Sequence, residues 1–419
     1  MKVRRRTTVV AALAAAAALT ALVAASGPAS ARVGSPTKPS ATTLRIWTDS
    51  DRRAAITKVA NAWARSRGVS VQIVVKQFTS MRDELKTVKS NEAPDLGVVA
   101  GDWMGDLSTS GLIVPIIPKK TALKAIPKYA RQGLSYGGRL YGMPTTVENI
   151  GLVVNTKLAK VPKNWADLER RALAFKKGGS GRAALDVQQG GGDPYHMYPL
   201  FSGLCGYVFG HTKSGALNPK DLGVANKTFL KNSTLIDKWN KEGLVNAKID
   251  ANTATQLFLS KKAAYWITGP WNIDTIKKAG ITSFKVVQVP RIKCRSVPFL
   301  GVNGLSVTRF AAQHGVASAA KDFVGSYMAK PNAQLALATA NNRAPANSQA
   351  LKKVKDPYIR QFGKASTGGV PVPNIPQMAS VWSDLGTAWV KATKGAGATK
   401  ARAAFTTAAK NIRAKINAG

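Results

Sequence analysis

Strand-like and helix-like segments alternate along the first quarter of this chain, and their order restricts the fold more than any other feature. Residues 44–47 have the pattern of a strand, and residues 51–66 carry apolar side chains at helical spacing. A second strand (69–75), a helix (80–90) and a third strand (96–100) continue the alternation. This order predicts an α/β fold with mostly parallel sheets flanked by helices.

Three acidic residues are candidates for a binding site, and the predicted topology places two of them. Ligands of such sheets bind outside the carboxyl ends of the strands. Asp51 follows the first strand and Asp102 follows the third, so both are expected at this edge. Glu148 lies in an apolar run (147–154) after a predicted hairpin (137–144), in a chain with only 21 Asp and Glu.

The length and composition indicate a folded protein of two or three lobes. The chain has 419 residues, of which 45% are hydrophobic and 20% charged, and this excludes a disordered chain, a collagen and a coiled coil. A second α/β region is predicted to about residue 289, followed by a strand (299–307). Helices are predicted over 311–329 and, rich in Ala and Lys, over 384–417.

Residues 1–31 have the pattern of a secretory signal peptide. A basic start precedes an uncharged, Ala-rich stretch, and a small-x-small site predicts cleavage after Ala31. A membrane anchor is the alternative, because the uncharged stretch is long enough to span a bilayer. We expect an exported protein with a linker over 32–41, and no cysteine follows the cleavage site to carry a lipid anchor.

The chain is strongly basic, with a formal net charge of +40. Removing the four basic residues of the signal peptide would leave +36. The basic residues are spread along the chain, and this distribution favours a charged, solvated surface. Electrostatic adhesion to an anionic cell envelope is the second interpretation. No nucleic-acid-binding motif is present, so we expect no nucleic-acid partner.

The cysteine and histidine content predicts neither a metal site nor a cofactor. Cys205 and Cys294 are the only cysteines, and in an exported chain they either pair or remain separate buried thiols. The sequence does not decide between these two states, because it does not give their distance. The three histidines are scattered, so no metal-ligand cluster is predicted.

Two tryptophans lie beside turns rather than inside helical patterns. Trp271 follows a Gly-Pro pair, and Trp382 follows a segment with two prolines. An aromatic ring held on a turn near carboxylates suits a sugar, whose C–H face stacks on the ring while its hydroxyls donate to the acids. Most other tryptophans, such as Trp63 and Trp165, are predicted to be core residues.

Several longer motifs point to one family. The most specific are Ile267-Thr268-Gly269-Pro270-Trp271 and Pro373-Asn374-Ile375-Pro376-Gln377-Met378 followed by Trp382. Supporting motifs are residues 44–47, Ala93-Pro94-Asp95, Ser110-Gly111-Leu112, residues 144–155 and Asp193-Pro194-Tyr195. From Leu44 to the C-terminal helix, the chain resembles the maltose/maltodextrin-binding proteins, the extracellular receptors of carbohydrate ABC importers.

The resemblance implies a non-enzymatic, monomeric receptor that closes around an α-glucoside or maltodextrin-like oligosaccharide and delivers it to a permease. It also implies a periplasmic-binding-protein-like fold with a ligand cleft between two lobes and three hinge crossings. Carried onto this chain, lobe one comprises residues 42–147 and 302–352, and lobe two comprises residues 148–301 and 353–419.

The resemblance further implies ligand-binding roles for nine residues, comprising acids, stacking rings and one basic residue. They are Asp51, Arg52 (in place of a lysine), Asp102, Trp103, Glu148, Asp193, Tyr195, Trp271 and Trp382. Trp103 is expected to supply a ring because Val99 stands where the family has a stacking tryptophan.

Other departures fall around this set. Val75 stands in place of a ligand glutamate, and His196 replaces a phenylalanine. Ser383 and Gly386 replace a tyrosine and an arginine on the helix that Trp382 begins. We therefore expect a retained primary subsite with altered flanking subsites, and a substrate other than maltose itself, because sites that bind hydroxyls discriminate steeply.

Three other functions remain open at this point. A secreted glycosidase would use paired carboxylates, for which Asp102 and Glu148 are candidates. A receptor for an anionic sugar would suit the positive charge, although an acidic cleft repels an anion. A basic adhesion protein would need no cleft at all.

Overall fold

The computed structural model describes residues 42–418. The predicted signal peptide, its cleavage site and the linker over 32–41 lie outside the described residues. Within 42–418, no helix has the length and apolar character needed to cross a membrane.

Strands occur between residues 43 and 371. They are β1 (Thr43–Thr48), β2 (Ser70–Val75), β3 (Leu96–Ala100), β4 (Ile113–Val114), β5 (Ser135–Tyr136), β6 (Arg139–Leu140), β7 (Gly142–Glu148) and β8 (Gly151–Asn155). They continue with β9 (Asp186–Val187), β10 (Phe209–His211), β11 (Leu217–Leu222), β12 (Tyr265–Thr268), β13 (Phe284–Val287), β14 (Phe299–Thr308), β15 (Ala344–Pro345) and β16 (Val370–Pro371).

The helices flank these strands. They are α1 (Ser50–Arg65), α2 (Phe78–Thr87), α3 (Met104–Thr109), α4 (Lys120–Leu123), α5 (Lys128–Gly133), α6 (Trp165–Lys177), α7 (Pro194–Gly203), α8 (Lys227–Asn232) and α9 (Thr234–Glu242). They continue with α10 (Ala251–Leu259), α11 (Ile273–Lys278), α12 (Phe310–Gln313), α13 (Ala317–Asp322), α14 (Pro331–Asn341), α15 (Ser348–Lys352), α16 (Pro357–Ala365), α17 (Trp382–Thr393) and α18 (Ala401–Ala418).

The larger sheet forms lobe one, with the order β15-β7-β14-β3-β1-β2. β1 runs parallel to β2 and β3, as the strand–helix alternation predicts. β14 runs antiparallel to β3 and β7, because it enters this sheet on the way back from the other lobe. Parallel pairing is therefore present in β1–β3 and between β14 and β16, whereas β14 is antiparallel to β3, β4 and β7, so this sheet is mixed rather than mostly parallel.

The smaller sheet forms lobe two, with the order β13-β8-β12-β9. β8 lies between β12 and β13 and runs antiparallel to both, and only β9 pairs in parallel. Within 42–418 the chain passes from one sheet to the other twice, from β7 to β8 and from β13 to β14. After β15 it passes a third time between the lobes, to α16, which packs against β13 and β8. The lobe boundaries at residues 147, 301 and 352 stay predictions.

Each sheet has its own hydrophobic core. In lobe one, α1 turns Ile56, Val59 and Trp63 onto the sheet at helical spacing. Burying side chains of this size contributes about 1.5–3 kcal/mol each. The Trp63 indole also donates to Asp322 (2.9 Å) and so joins α1 to α13. Trp165 is buried in lobe two, which confirms the predicted core position of both tryptophans.

The single helix expected over 311–329 is wrong. The segment divides into α12, α13 and a π-helical turn (Phe323–Tyr327). Gly315 stands between the first two with φ of +72°, a left-handed conformation that ends α12 and that a side chain would disfavour. The helices predicted over 384–417 are present as α17 and α18, separated by a turn in which Gly395 and Gly397 also have positive φ.

Cys205 and Cys294 form a disulfide, with their Cα atoms 5.2 Å apart. The alternative of two separate thiols is therefore wrong. The bond closes a loop with a sequence separation of 89 residues and joins the end of α7 to the segment that leads into β14.

Candidate functional site

The carboxyl edge of the lobe-one sheet holds the first predicted residues. Asp49 follows β1 and caps α1 by accepting the backbone N–H of Arg52 at 3.0 Å. This cap fixes Asp51 and Arg52 in the first turn of α1. Asp102 lies in a 3-10 turn directly after β3, at the same edge. Asp51 and Asp102 therefore lie at the same end of the sheet, as the strand order predicts.

Glu148 is the centre of a buried ionic cluster. Its Oε2 accepts the Nε–H of Arg343 at 2.5 Å and lies 3.8 Å from Nη2 of Arg52, which also contacts Asp49 at 2.6 Å. Burial on its own would raise the pKa of Glu148, but attraction to the two arginines holds that pKa below its ordinary value. Glu148 is thus an ionised acceptor where β7 leaves lobe one.

Asp102 and Trp382 connect the two lobes directly. Trp382, the first residue of α17, donates its indole N–H to Oδ2 of Asp102 at 3.1 Å. Burial raises the pKa of Asp102 to about 6, and the charge of Arg82 and the bond from Trp382 oppose that rise. The Asp102 carboxyl therefore changes its charge near pH 6.

Four rings form an aromatic wall on the lobe-two side. Trp271 lies in the turn after β12, and its ring centroid is 6.5 Å from that of Tyr195 on α7. Phe299 continues the wall, 6.1 Å from Tyr195 and 6.0 Å from Trp382. The Tyr195 hydroxyl is buried without a hydrogen-bond partner among the described residues. The aromatic wall thus combines apolar ring faces with one polar group, the Tyr195 hydroxyl, that has no hydrogen-bond partner among the described residues.

Asp193 caps a helix and holds two neighbouring side chains by hydrogen bonds. It caps α7 through the backbone N–H of His196 (3.0 Å), and it also contacts the His196 ring (2.9 Å) and the Gln188 amide (2.6 Å). Burial acts to raise the pKa of Asp193, but His196 and these hydrogen bonds lower it overall. Its part in ligand binding stays a prediction.

Asp51 lies at the exposed edge of the buried cluster, and Trp103 lies apart from it. The Asp51 side chain is 59% exposed, and its Oδ2 lies 3.7 Å from Nη2 of Arg343. The Trp103 ring is buried in the lobe-one core against Phe78, with 4.9 Å between ring centroids. This burial does not support a ligand contact for Trp103.

The departures from the resemblance have a structural basis at one position. A Cβ at position 386 would lie 2.9 Å from the backbone of Gly192, so no larger side chain fits there without a shift. The loop before α7 thus fills the space where the resemblance places an arginine. Val75 is exposed at the end of β2, and Val99 is buried within β3.

Three residues of this region were missed by the sequence analysis. Asp49 follows β1 as directly as Asp51 does, so the same rule would have found it. Phe299 is the first residue of a predicted strand, but the sequence did not show on which side of the strand its ring lies. Arg343 had no local signal, because only the pairing of β15 with β7 brings it beside Glu148.

Two of the histidines contact aspartate side chains. His196 bonds Asp193, and His314 contacts Asp95 at 2.7 Å. Among residues 42–418, no group of three or more His, Cys, Asp or Glu residues is placed to hold a metal ion.

Comparison with known proteins identifies the family. The family described as bacterial extracellular solute-binding protein matches residues 58–360. The chain belongs to this family. Its members are solute-binding proteins and not enzymes, so the glycosidase hypothesis is wrong for this solute-binding protein.

Named relatives cover most of the chain. This solute-binding protein is 27% identical over 389 residues to the galactooligosaccharide-binding protein of Bacillus subtilis, covering 90% of each chain. It is 28% identical over 361 residues to the maltodextrin-binding protein MdxE of the same organism, covering 81% of this chain and 82% of the relative.

A solved structure confirms the two-lobe fold. The Thermus thermophilus maltotriose binding protein bound with maltotriose superposes with a TM-score of 0.80 at 25% identity. The match covers 89% of this chain and 100% of the other. The periplasmic-binding-protein-like architecture of this solute-binding protein is therefore established.

Proposed function

We propose that this protein is the receptor of a carbohydrate ABC importer. It captures an α-glucoside or maltodextrin-like oligosaccharide between its lobes and delivers it to permease subunits in the membrane. The named relatives are a galactooligosaccharide-binding, a maltodextrin-binding and a maltotriose-binding protein, and their similarity covers 81–90% of this chain. Signal-peptide cleavage after Ala31, release without a lipid anchor and action as a monomer complete the proposal.

One observation carries it: acceptors and apolar rings from both lobes meet at the lobe junction. Glu148 and Asp102 offer carboxylates, and Trp271 and Trp382 offer rings. A sugar presents hydroxyls and a C–H face to match them. The unpartnered Tyr195 hydroxyl adds a polar group that a ligand hydroxyl would satisfy, since a buried polar group without a partner is costly.

Thermal unfolding of the mature protein against a sugar panel tests the proposal. The panel holds maltose, maltotriose, trehalose, sucrose, cyclodextrin, a galactooligosaccharide and glucuronate. A bound sugar should stabilise the protein by about 2.7 kcal/mol at 100 times its Kd. A shift with glucuronate alone would support an anionic-sugar receptor instead, and no shift with any neutral sugar would contradict the proposal.

Tyr195→Phe sharpens this test. The change removes a hydroxyl that has no partner, so the unliganded protein should unfold at the same temperature or higher. The sugar-induced shift should shrink, because the ligand loses a hydrogen bond. Tyr129→Phe, at an exposed position of lobe one, is the matched control and should leave the shift unchanged.

Sugar affinity is expected to depend on pH through Asp102. The ionised carboxylate is the better acceptor, so affinity should hold at neutral pH and fall as Asp102 gains a proton below pH about 6. The largest possible fall is about tenfold per pH unit. Titration calorimetry from pH 5 to 8 should show this fall in the wild type and not in Asp102→Asn. An identical profile in both proteins would remove Asp102 from the site.

Electrostatic retention at an anionic cell envelope is a second proposed property. A groove in lobe two is lined by Lys176, Arg182, Lys248 and Lys394. The described residues of its walls include no carboxylate. An anionic polymer would find four cations there without a competing negative charge.

Salt-dependent release tests this second property. The wild type should remain with cell-envelope particles at low salt and leave them as the salt concentration rises. Replacing the four groove residues by glutamine should release the protein at lower salt. Replacing Lys119, Lys120, Lys124 and Lys128 of lobe one gives the same change of charge as a control. Complete release of the wild type at low salt would contradict the property.

A further inference from the structure

Arg343 is a buried arginine at the junction between the lobes, with a side chain 4% exposed. Antiparallel pairing places Ala344 opposite Val147, so Arg343 follows in register opposite Glu148. Asn342 ends α14 in a left-handed conformation (φ +54°), which asparagine tolerates better than most residues. The fold therefore directs Arg343 to Glu148.

The Arg343 guanidinium makes contacts on both sides of the junction. Its Nε donates to Glu148 of the lobe-one sheet at 2.5 Å. Its Cζ lies 5.7 Å from the centroid of the Trp271 ring, which belongs to lobe two. A cation within about 6 Å of an indole face is attracted to it. One side chain thus contacts both a proposed sugar acceptor and a proposed stacking ring.

We propose that Arg343 is a positioning residue for the ligand: it fixes the Glu148 carboxylate and the Trp271 ring relative to each other when the lobes meet. The inference rests on the proposed function, because it gives that site the residue that holds its acceptor and its stacking surface together. Arg343 acts through Glu148 and Trp271.

Other charged groups near Glu148 do not replace Arg343. Arg52 is 3.8 Å away and already contacts Asp49 at 2.6 Å. Asp51 on α1 and Tyr195 on α7 also face this region, and neither supplies a positive charge. Without Arg343, the positive charge nearest to the buried Glu148 carboxylate would be the more distant Arg52, which also pairs with Asp49. The ionised form of Glu148 would be less favoured.

Arg343→Met and Arg343→Lys, compared with the wild type, test the inference. Maltotriose is the probe, and its Kd is measured from pH 5 to 8. Arg343→Met should bind maltotriose about 10- to 100-fold more weakly at pH 7, as expected when a buried charge pair loses one partner. Arg343→Lys should recover part of the loss, because it restores the charge without the planar fork. Arg309→Met, an exposed arginine beside Phe310, is the control and should bind as the wild type does.

A second measurement needs no ligand. The pKa of Glu148, followed by carboxyl NMR and assigned with Glu148→Gln, should rise in Arg343→Met and return toward the wild-type value in Arg343→Lys. If maltotriose binds none of the proteins while this pKa rises, the choice of sugar fails and the positioning of Glu148 stands.

The outcomes that would overturn the inference are equally definite. Unchanged affinity in Arg343→Met would show that Glu148 and Trp271 are positioned without Arg343. Tighter binding would show that the guanidinium competes with the ligand for the Trp271 face. An unchanged pKa of Glu148 would also contradict the inference. Should Arg343→Met fail to fold, a wild-type Kd in Arg343→Lys would overturn it.

Discussion

Trp271→Ala and Trp382→Ala should each weaken oligosaccharide binding by about 1–3 kcal/mol, with folding retained. Both rings are only partly buried and belong to the aromatic wall at the lobe junction. Removing either ring takes away a stacking surface for the sugar, and Trp382→Ala also breaks the bond to Asp102. Titration calorimetry with the sugar that stabilises the wild type measures the loss.

Phe175→Ala is the matched control for these variants. Phe175 is a partly buried ring of lobe two that lies under the guanidinium of Arg182 at 4.5 Å, on α6 and outside the aromatic wall. Its removal should leave sugar affinity unchanged. If Trp271→Ala or Trp382→Ala unfolds the protein, that ring is a core residue. Folded variants with wild-type affinity would exclude the ring from the site.

Removing the disulfide should cost about 2–5 kcal/mol of folding free energy. The bond closes a loop of 89 residues, and in the chain-entropy account a loop of that length restricts the unfolded chain strongly. Denaturant unfolding of Cys205→Ser/Cys294→Ser should therefore show a lower midpoint than that of the wild type.

Reductant supplies the control for this prediction. The chain has no other cysteine, so reduction of the wild type acts on this bond alone. Reduced wild type and the double serine variant should unfold at the same denaturant concentration, and reductant should not affect the variant. Equal midpoints for the oxidised wild type and the variant would show that the bond adds no stability.

The parts of the fold set by local patterns could be predicted from the sequence. The apolar alternation of β1 and the helical spacing of α1 are properties of neighbouring residues, and these elements begin and end within two residues of their predicted bounds. The parallel pairing of β1–β3 follows from the connecting helices. The antiparallel direction of β14 depends on the path through the other lobe, which no local pattern contains.

The candidate site shows the same division. Asp51 and Asp102 lie at the sheet edge. This position could be predicted, because the sequence pattern indicates where each strand ends. Arg343 was missed because its pairing with Glu148 spans 195 residues and depends on strand register. Trp103 was expected to supply a ring, but its side chain faces the core. Whether a ring reaches a cleft depends on the direction in which its side chain leaves the backbone, and not on its distance in sequence from other site residues.

A crystal structure of the protein with the sugar that gives the largest thermal shift is the most direct test of the central claim. We predict a sugar bound between the lobes, in contact with Glu148 or Asp102 on one side and with Trp271 or Trp382 on the other. A sugar bound elsewhere on the surface, with the acids and rings of the junction untouched, would contradict the account.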